Sequence, residues 1–317
     1  MKPDVVTIGE VMGTLRFSGQ FGVGTTVTPS LAGAEGNVAI GLARLEHAVA
    51  WVGSVGNDTF GQGIIKTLRG EGVDVSHVVK RPEPTGLLVS RVIGPETKSV
   101  DYHRSGSAGR IISQEQISGA IAKGPRILHV TGITPALGKA AAESIRFAVD
   151  AAREAGITVA FDVNFRGRLW GRDEAAPVLT ELASLADIVI GGTGELAIVT
   201  GQHDPLEAMS AVLASGAREI VWKESDLARV LSAEGMVECP NRLVRAVDPI
   251  GAGDAFVSGY LSGVLDGLGA MERLTRAHLL GRIIVGSEGD WEGLPTRDQL
   301  AVLEAQDGVP VNGSVVR

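Results

Sequence analysis

The feature that most limits how this chain can fold is an alternation of short β-branched runs with segments of helical periodicity. From about Lys123 onward, strand-like runs at 127–130, 158–161, 188–190 and 219–222 are separated by periodic segments at 139–155, 174–185 and 205–214. Each periodic segment closes on Gly, Asp or a polar turn. Parallel neighbours need a crossover connection, and a helix is the usual one, so the pattern predicts an α/β fold with a central, mainly parallel sheet flanked by helices. The earlier part keeps the rhythm, with strands at 5–8 and 50–52 and helices at 37–45 and 60–68. Two stretches, 13–32 and 85–104, break it. They lack helical spacing and carry Val27, Val89, Val92 and Val100, so they are expected to form a small β-sheet lid over the strand ends, where open α/β sheets bind ligands. The expected organisation is one α/β domain built from 1–12, 33–84 and 105–310, a β lid from 13–32 and 85–104, and a flexible tail at 311–317.

Charge and composition remove several classes of function. A formal net charge of −8 opposes the basic footprint that binding a phosphate backbone requires, so nucleic acid is not expected as a partner, and an anionic substrate would need a local basic pocket. No apolar run approaches the roughly 20 residues of a membrane helix. The single Cys239 has no internal disulfide partner, and Met1 leads directly into a strand-like segment without an apolar leader, so a reducing cytoplasm is the expected location. No Gly-x-x-x-x-Gly-Lys-Ser/Thr loop occurs and no Gly-x-Gly-x-x-Gly follows the first strand, which argues against a P-loop ATPase and a dinucleotide fold. The six histidines show no paired ligand spacing, so zinc is unsupported.

Chemistry concentrates in two glycine turns that open helices. In Asp248-Pro-Ile-Gly-Ala-Gly-Asp254, glycines at 251 and 253 let successive amides point into one concavity, and the following helix start adds partial positive charge. A carboxylate beside such an anion hole, here Asp254, can take a proton from an attacking hydroxyl. The second turn, Gly33-Ala-Glu-Gly-Asn37, opens another helix with a polar Asn37 at the head of an apolar face. Taken singly, either turn serves equally well as a capped helix start.

Together, the two turns resemble the paired motifs of the ribokinase-like, or PfkB, carbohydrate kinases. The resemblance runs from Val5 to about Leu303 and includes Trp51-Val-Gly-Ser-Val-Gly-Asn-Asp58, Leu68-Arg-Gly-Glu-Gly-Val-Asp74 and the Gly-Ala-Gly-Asp254 motif. It implies a ribokinase-like sandwich with a β lid, ATP as phosphoryl donor, Mg²⁺, and Asp254 as catalytic base with Gly251, Ala252 and Gly253 forming the anion hole. Asp101-Tyr-His-Arg104, Asp162-Val-Asn-Phe-Arg166 and Gly289-Asp-Trp-Glu-Gly293 are similar to the branch of that family that phosphorylates 2-keto-3-deoxygluconate to its 6-phosphate. That branch implies Gly33, Asn37, Tyr102, Arg104, Arg166, Asp254 and Asp290 as the sugar-binding set, with Arg104 and Arg166 holding the acidic end. Paired guanidinium forks suit an acidic protein that must bind an anion, although either arginine alone could be a surface ion pair.

On the donor side the resemblance assigns Asn164, Lys223, Ser225 and His278, with Gly251 and Gly253, to the nucleotide, and Glu195 to Mg²⁺ through water. A monovalent cation and a homodimer joined through the lid are further family-level expectations. The chain departs from the pattern at several places. Gly192 stands where the family's Asn-x-x-Glu has Asn, the segment from Lys223 to Ala228 lacks the usual glycines, His278 replaces an Asn, and Leu88 replaces a lid tyrosine. Two alternatives therefore stay open: a neutral-sugar kinase of fructokinase or ribokinase type, for which Arg104 would be dispensable, and a non-catalytic binding or regulatory protein on the same fold.

Overall fold

The computed structural model describes residues 2–17, 22–94 and 97–307. The sequence expectations for 18–21, 95–96 and the 311–317 tail lie outside the described residues. The chain begins with β1 (Val5–Ile8), β2 (Met12–Phe17), β3 (Val27–Ala32), α1 (Ala34–Arg44), β4 (Val49–Gly56) and α2 (Thr59–Gly70). It continues through β5 (Val78–Arg81), β6 (Leu87–Gly94), β7 (Thr97–His103), α3 (Gln114–Ile121), β8 (Ile127–Thr131), α4 (Lys139–Glu154), β9 (Thr158–Asp162) and α5 (Arg172–Leu185). Then come β10 (Ile188–Gly191), α6 (Thr193–Thr200), α7 (Pro205–Ala214), β11 (Glu219–Lys223), β12 (Leu227–Ser232) and β13 (Gly235–Pro240). Three helices, α8 (Ala252–Leu265), α9 (Ala270–Val285) and α10 (Arg297–Asp307), complete the described chain.

The large sheet has nine strands in the order β13-β12-β11-β10-β9-β8-β1-β4-β5. Pairing is parallel from β5 through to β11 and antiparallel only at the β11–β12–β13 end. Side chains alternate across it. Val5, Trp51 and Ile190 join one core cluster with α1, α8 and α9, whereas Val6, Val52 and Val189 join the other with α4, α5 and α7. Burial on both faces explains why the parallel strands read as continuous apolar runs. On the first face, α8 and α9 pack with little space between them. A side chain carbon at Gly259 would lie 2.9 Å from Cα of Ala277, so glycine there sets how closely the two helices approach.

The second sheet, ordered β3-β2-β6-β7, is built from the two stretches that interrupt the α/β rhythm. Its pairings are antiparallel except for β2 with β6. Its base is tied to the large sheet by Asp58, which caps α2 through the Gly61 amide and also accepts from the Thr85 backbone N–H at 2.8 Å. The segment from Lys223 to Ala228, read as a nucleotide loop short of glycine, is a tight hairpin turn in which Lys223 already pairs with Ala228. The β12–β13 hairpin is therefore an extension of the sheet. Among the described residues, no helix is long and apolar enough to cross a membrane.

Candidate active site

The two glycine turns meet. Gly251 has φ 83°, the left-handed region open to glycine, and a side chain there would run into the carbonyl oxygen of Asp290. This turn starts α8 with Asp254 in its first turn. At Gly33, the residue capping α1, a side chain would strike the Glu10 carbonyl. With both turns this tight, the starts of α1 and α8 converge, and Asn37 Nδ2 donates to Asp254 Oδ2 at 2.8 Å across 217 residues of sequence. Burial raises the Asp254 carboxyl above the ordinary aspartate value, while the Asn37 bond and the Arg166 charge act against that rise. A carboxyl moved upward in this way is a stronger base than a free aspartate. Asn37 Oδ1 is buried without a partner among the described residues, which leaves an acceptor beside Asp254.

A cavity of about 600 Å³ opens between these helix starts and the second sheet. Gly33, Asn37, Tyr102, Arg104, Arg166, Asp254 and Asp290 all line it, so the structure brings together the whole predicted sugar-binding set, with Leu88 on the same wall. Arg166 is exposed at the rim, and its charge acts on Asp254. Arg104 stands differently. Its guanidinium is buried on Glu10, with Nε 2.8 Å from Oε2, while Ser107 donates to the other Glu10 oxygen. Sequence reading missed Glu10. The available signal was an acid directly after the first parallel strand, with Gly86 and Gly109 leaving room for its side chain.

Two further acids stand on this cavity. Asp290 is buried and held by Arg16 Nη2 at 3.2 Å, and burial pushes its carboxyl up to about 7. Glu35, within the first glycine turn, accepts from Thr131 and Thr134 hydroxyls at 2.7 and 2.9 Å, and burial likewise pushes it up to about 7. Arg16 also reaches Glu292 at 2.8 Å, and Ser30 donates to the same carboxylate at 2.7 Å, so β2 and β3 are bonded to the segment carrying Asp290.

The residues expected on the donor side lie beyond Asp254. Asn164, at φ 40°, is a non-glycine residue in left-handed conformation, and its Nδ2 stands 3.2 Å from Asp162 Oδ2 and 3.5 Å from Asp254 Oδ1. Lys223, at the end of β11, reaches Asp162 Oδ1 at 3.0 Å. Burial works against its charge, but Asp162, Glu195 and Asp254 outweigh that and hold the ammonium above the ordinary lysine value. Ser225 is exposed in the hairpin turn, its carbonyl accepting from Asn241. His278 lies away from the cavity on α9, against the Phe256 ring at 5.5 Å. Both its ring nitrogens lack partners among the described residues, and burial lowers it to about 4.

Glu195 is half-buried at the start of α6. Its two oxygens accept from the Gly192 and Phe165 amides at 2.9 Å, and burial, reinforced by Asp162, raises its carboxyl. Among the described residues, no group of three or more His, Cys, Asp or Glu could enclose a metal. Mg²⁺ normally keeps several waters and takes one or two carboxylates plus phosphate oxygens, so a single half-buried Glu195 close to Asp162 and Lys223 fits a role through water. Where the family has Asn, Gly192 leaves room for Glu224, which accepts from the Thr193 amide and hydroxyl at 2.9 and 2.7 Å.

Comparison with known proteins agrees with this geometry. Residues 2–297 match the profile of the pfkB family carbohydrate kinases. The chain is similar to 2-dehydro-3-deoxygluconokinase of Bacillus subtilis (strain 168), with 38% identity over 312 residues and 95% of each chain covered. The crystal structure of a PfkB protein from Polaromonas sp. JS666 superposes with a TM-score of 0.84 at 33% identity, covering 95% of this chain and 99% of that one. A putative ribokinase II from E. coli, solved in complex with ATP and Mg²⁺, shares the fold at a TM-score of 0.87 and 23% identity over 96% of this chain and 99% of that one. Two facing glycine turns, an aspartate at the head of α8 and a family match spanning both sheets lead to one conclusion: the chain belongs to the pfkB family of carbohydrate kinases, enzymes that phosphorylate an alcohol group of a sugar.

Proposed function

We propose that this protein transfers the γ-phosphoryl group of ATP to the 6-hydroxyl of 2-keto-3-deoxygluconate, giving the 6-phosphate and ADP. The observation that carries the reading is one cavity lined by a buried carboxylate, Asp254, together with two arginines, Arg104 and Arg166. The similarity to the Bacillus kinase supports the same acceptor. Asp254 takes the hydroxyl proton as the oxygen bonds to the γ-phosphorus and the bond to the ADP oxygen breaks. The amides of Gly251, Ala252 and Gly253 at the start of α8 face the charge that develops. Asn37 Oδ1, unpartnered and buried, accepts a sugar hydroxyl, and Arg104 and Arg166 orient the acid. Mg²⁺, when bound, offsets phosphate charge, and Glu195 would hold its water. The second sheet acts as a lid that keeps water from serving as acceptor. A requirement for a monovalent cation and a homodimer through the lid are proposed on the family resemblance, to be checked by potassium dependence and by solution mass.

The Glu10–Arg104 pair favours a second reading, since a cation already neutralised by a buried acid suits a neutral sugar as well. ADP release measured over sugar acids, fructose and ribose separates the two. The expected result is fastest turnover on 2-keto-3-deoxygluconate, with Asp254→Asn lowering kcat by roughly 10² to 10⁴. Faster turnover of fructose or ribose would overturn the acid reading, and near-native kcat in Asp254→Asn would remove Asp254 from the chemistry.

A further inference from the structure

We propose that Lys223 is a catalytic residue, its ammonium facing the transferring phosphoryl group, and that Asp162 is the positioning residue that holds it there. Both lie at strand ends, Asp162 closing β9 and Lys223 closing β11, on the edge of the sheet that α8 overhangs. The ammonium lies 3.0 Å from Asp162 Oδ1, and 3.8 Å from where a side chain carbon on Gly253 would sit, so it stands against the first turn of α8. An ammonium carries three donors. One is used on Asp162, and the side chain keeps 16% exposure. Arg166 stands apart from this arrangement, exposed on the acceptor cavity.

The pair also belongs to a continuous chain of polar contacts. Lys223 bonds Asp162, the other Asp162 oxygen faces Asn164 at 3.2 Å, and Asn164 faces Asp254, which Asn37 holds from the acceptor side. The left-handed backbone of Asn164 is what lets one amide lie between the two carboxylates. Asp162 is 1% exposed, so its charge is fixed in place and cannot swing out to solvent. A cation fixed against the helix start gives the moving charge a positive partner that needs no rearrangement during the reaction. The inference rests on phosphoryl transfer and not on the identity of the sugar.

The test uses MgATP with whichever acceptor the unaltered protein turns over fastest, so failure of the sugar-acid reading leaves it intact. Lys223→Met is expected to lower kcat by roughly 10² to 10³ while the sugar KM stays within about threefold, the signature of an interaction made in the transition state. Lys223→Arg should recover at least about tenfold of that loss, since a guanidinium also serves as a phosphoryl cation. Asp162→Asn should lower kcat with the sugar KM again held, because the ammonium loses its anchor. Lys223→Met strands a buried Asp162, so the double variant Asp162→Asn/Lys223→Met, which removes both charges, keeps the test open if the single variant fails to fold. A double variant that binds sugar and matches the Lys223→Met loss within a few-fold supports a unit. A Lys223→Met or double variant with kcat within about threefold of wild type, or a loss carried wholly by the sugar KM, overturns the proposal.

Discussion

Replacing Arg104 by alanine removes two things at once: a guanidinium on the sugar cavity and the partner of Glu10. The Glu10 side chain is 1% exposed and that of Arg104 10%, so the pair is buried. Breaking such a pair by deleting one member costs about 3–5 kcal/mol, because the remaining charge is left uncompensated. At roughly 2–3 °C per kcal/mol for a chain of this length, Arg104→Ala should melt about 6 to 15 °C below wild type. The Ser107 bond to the other Glu10 oxygen places the result toward the lower end. The double variant Glu10→Gln/Arg104→Met carries neither charge and keeps a long side chain to pack, so it should regain most of the loss. Kinetics measured well below both melting points then isolate the ligand effect. Both variants should raise the sugar-acid KM roughly ten- to a hundred-fold, the worth of one hydrogen bond to a charged group, and leave the ATP KM unchanged. If single and double variants melt within about 2 °C of each other, Glu10 is not a stranded charge and the burial argument fails. If the double variant restores the sugar-acid KM, Arg104 supports the cavity without touching the acid.

Two more outcomes follow from the acids around the cavity. Burial pushes Glu35 and Asp290 up to about 7, so in the window from ordinary carboxylate values to about 7 the folded chain holds protons that the unfolded chain has released. The stability these groups contribute is full below the unfolded value and is lost as pH rises toward 7, so Glu35→Gln should show a smaller fall in melting temperature between pH 5 and 7.5 than wild type; equal falls would refute the assignment. Arg16 joins β2 to Asp290 and Glu292, so Arg16→Ala should speed amide exchange in β2 and β3 and raise the sugar KM a few-fold, whereas unchanged exchange would show that the Ser30–Glu292 bond alone holds the lid.

What could be read from sequence, and what could not, divides along physical lines. The buried parallel strands were legible because burial on both faces makes each a continuous apolar run, as in Val5–Ile8 and Ile188–Gly191, whereas the edge strand Val78–Arg81, only partly buried, was not. The β12–β13 hairpin was not, since Leu227–Ser232 alternates Arg229 with buried Ala228 and Val230 and takes its pairing from β11. The short α3, eight residues closed by a Ser113–Gln116 capping box, gave too little periodicity to stand out. The glycine turns were legible because only glycine fits there: at Gly251 the backbone is left-handed, and at Gly33 and Gly251 alike a side chain would meet another chain segment. Their charged surroundings were hidden, because what neutralises a buried acid is decided by residues far away in sequence. Glu10 finds Arg104 94 positions on, and Asp162 finds Lys223 61 positions on.

Those two pairs give the cleft a common design on its acceptor and donor sides. On each side a buried acid at a strand end of the large sheet, Glu10 after β1 and Asp162 on β9, fixes a cation: Arg104 on the cavity and Lys223 against the start of α8. A bare cation in the same place would bind an anion more tightly, but it would also be free to move and would hold substrate and product phosphate alike. Holding each cation on an acid weakens that uniform attraction and keeps its geometry, and at Lys223, proposed to face the phosphoryl group, the charge then acts where the reaction creates new negative charge. Binding energy withheld from the ground state in this way raises kcat more than it lowers KM. The same reasoning explains why Asp254 is held by amides, Asn37 at 2.8 Å and Asn164 at 3.5 Å, and not by a cation of its own. A direct ion pair would depress its proton affinity, and the base would lose the strength that burial gives it.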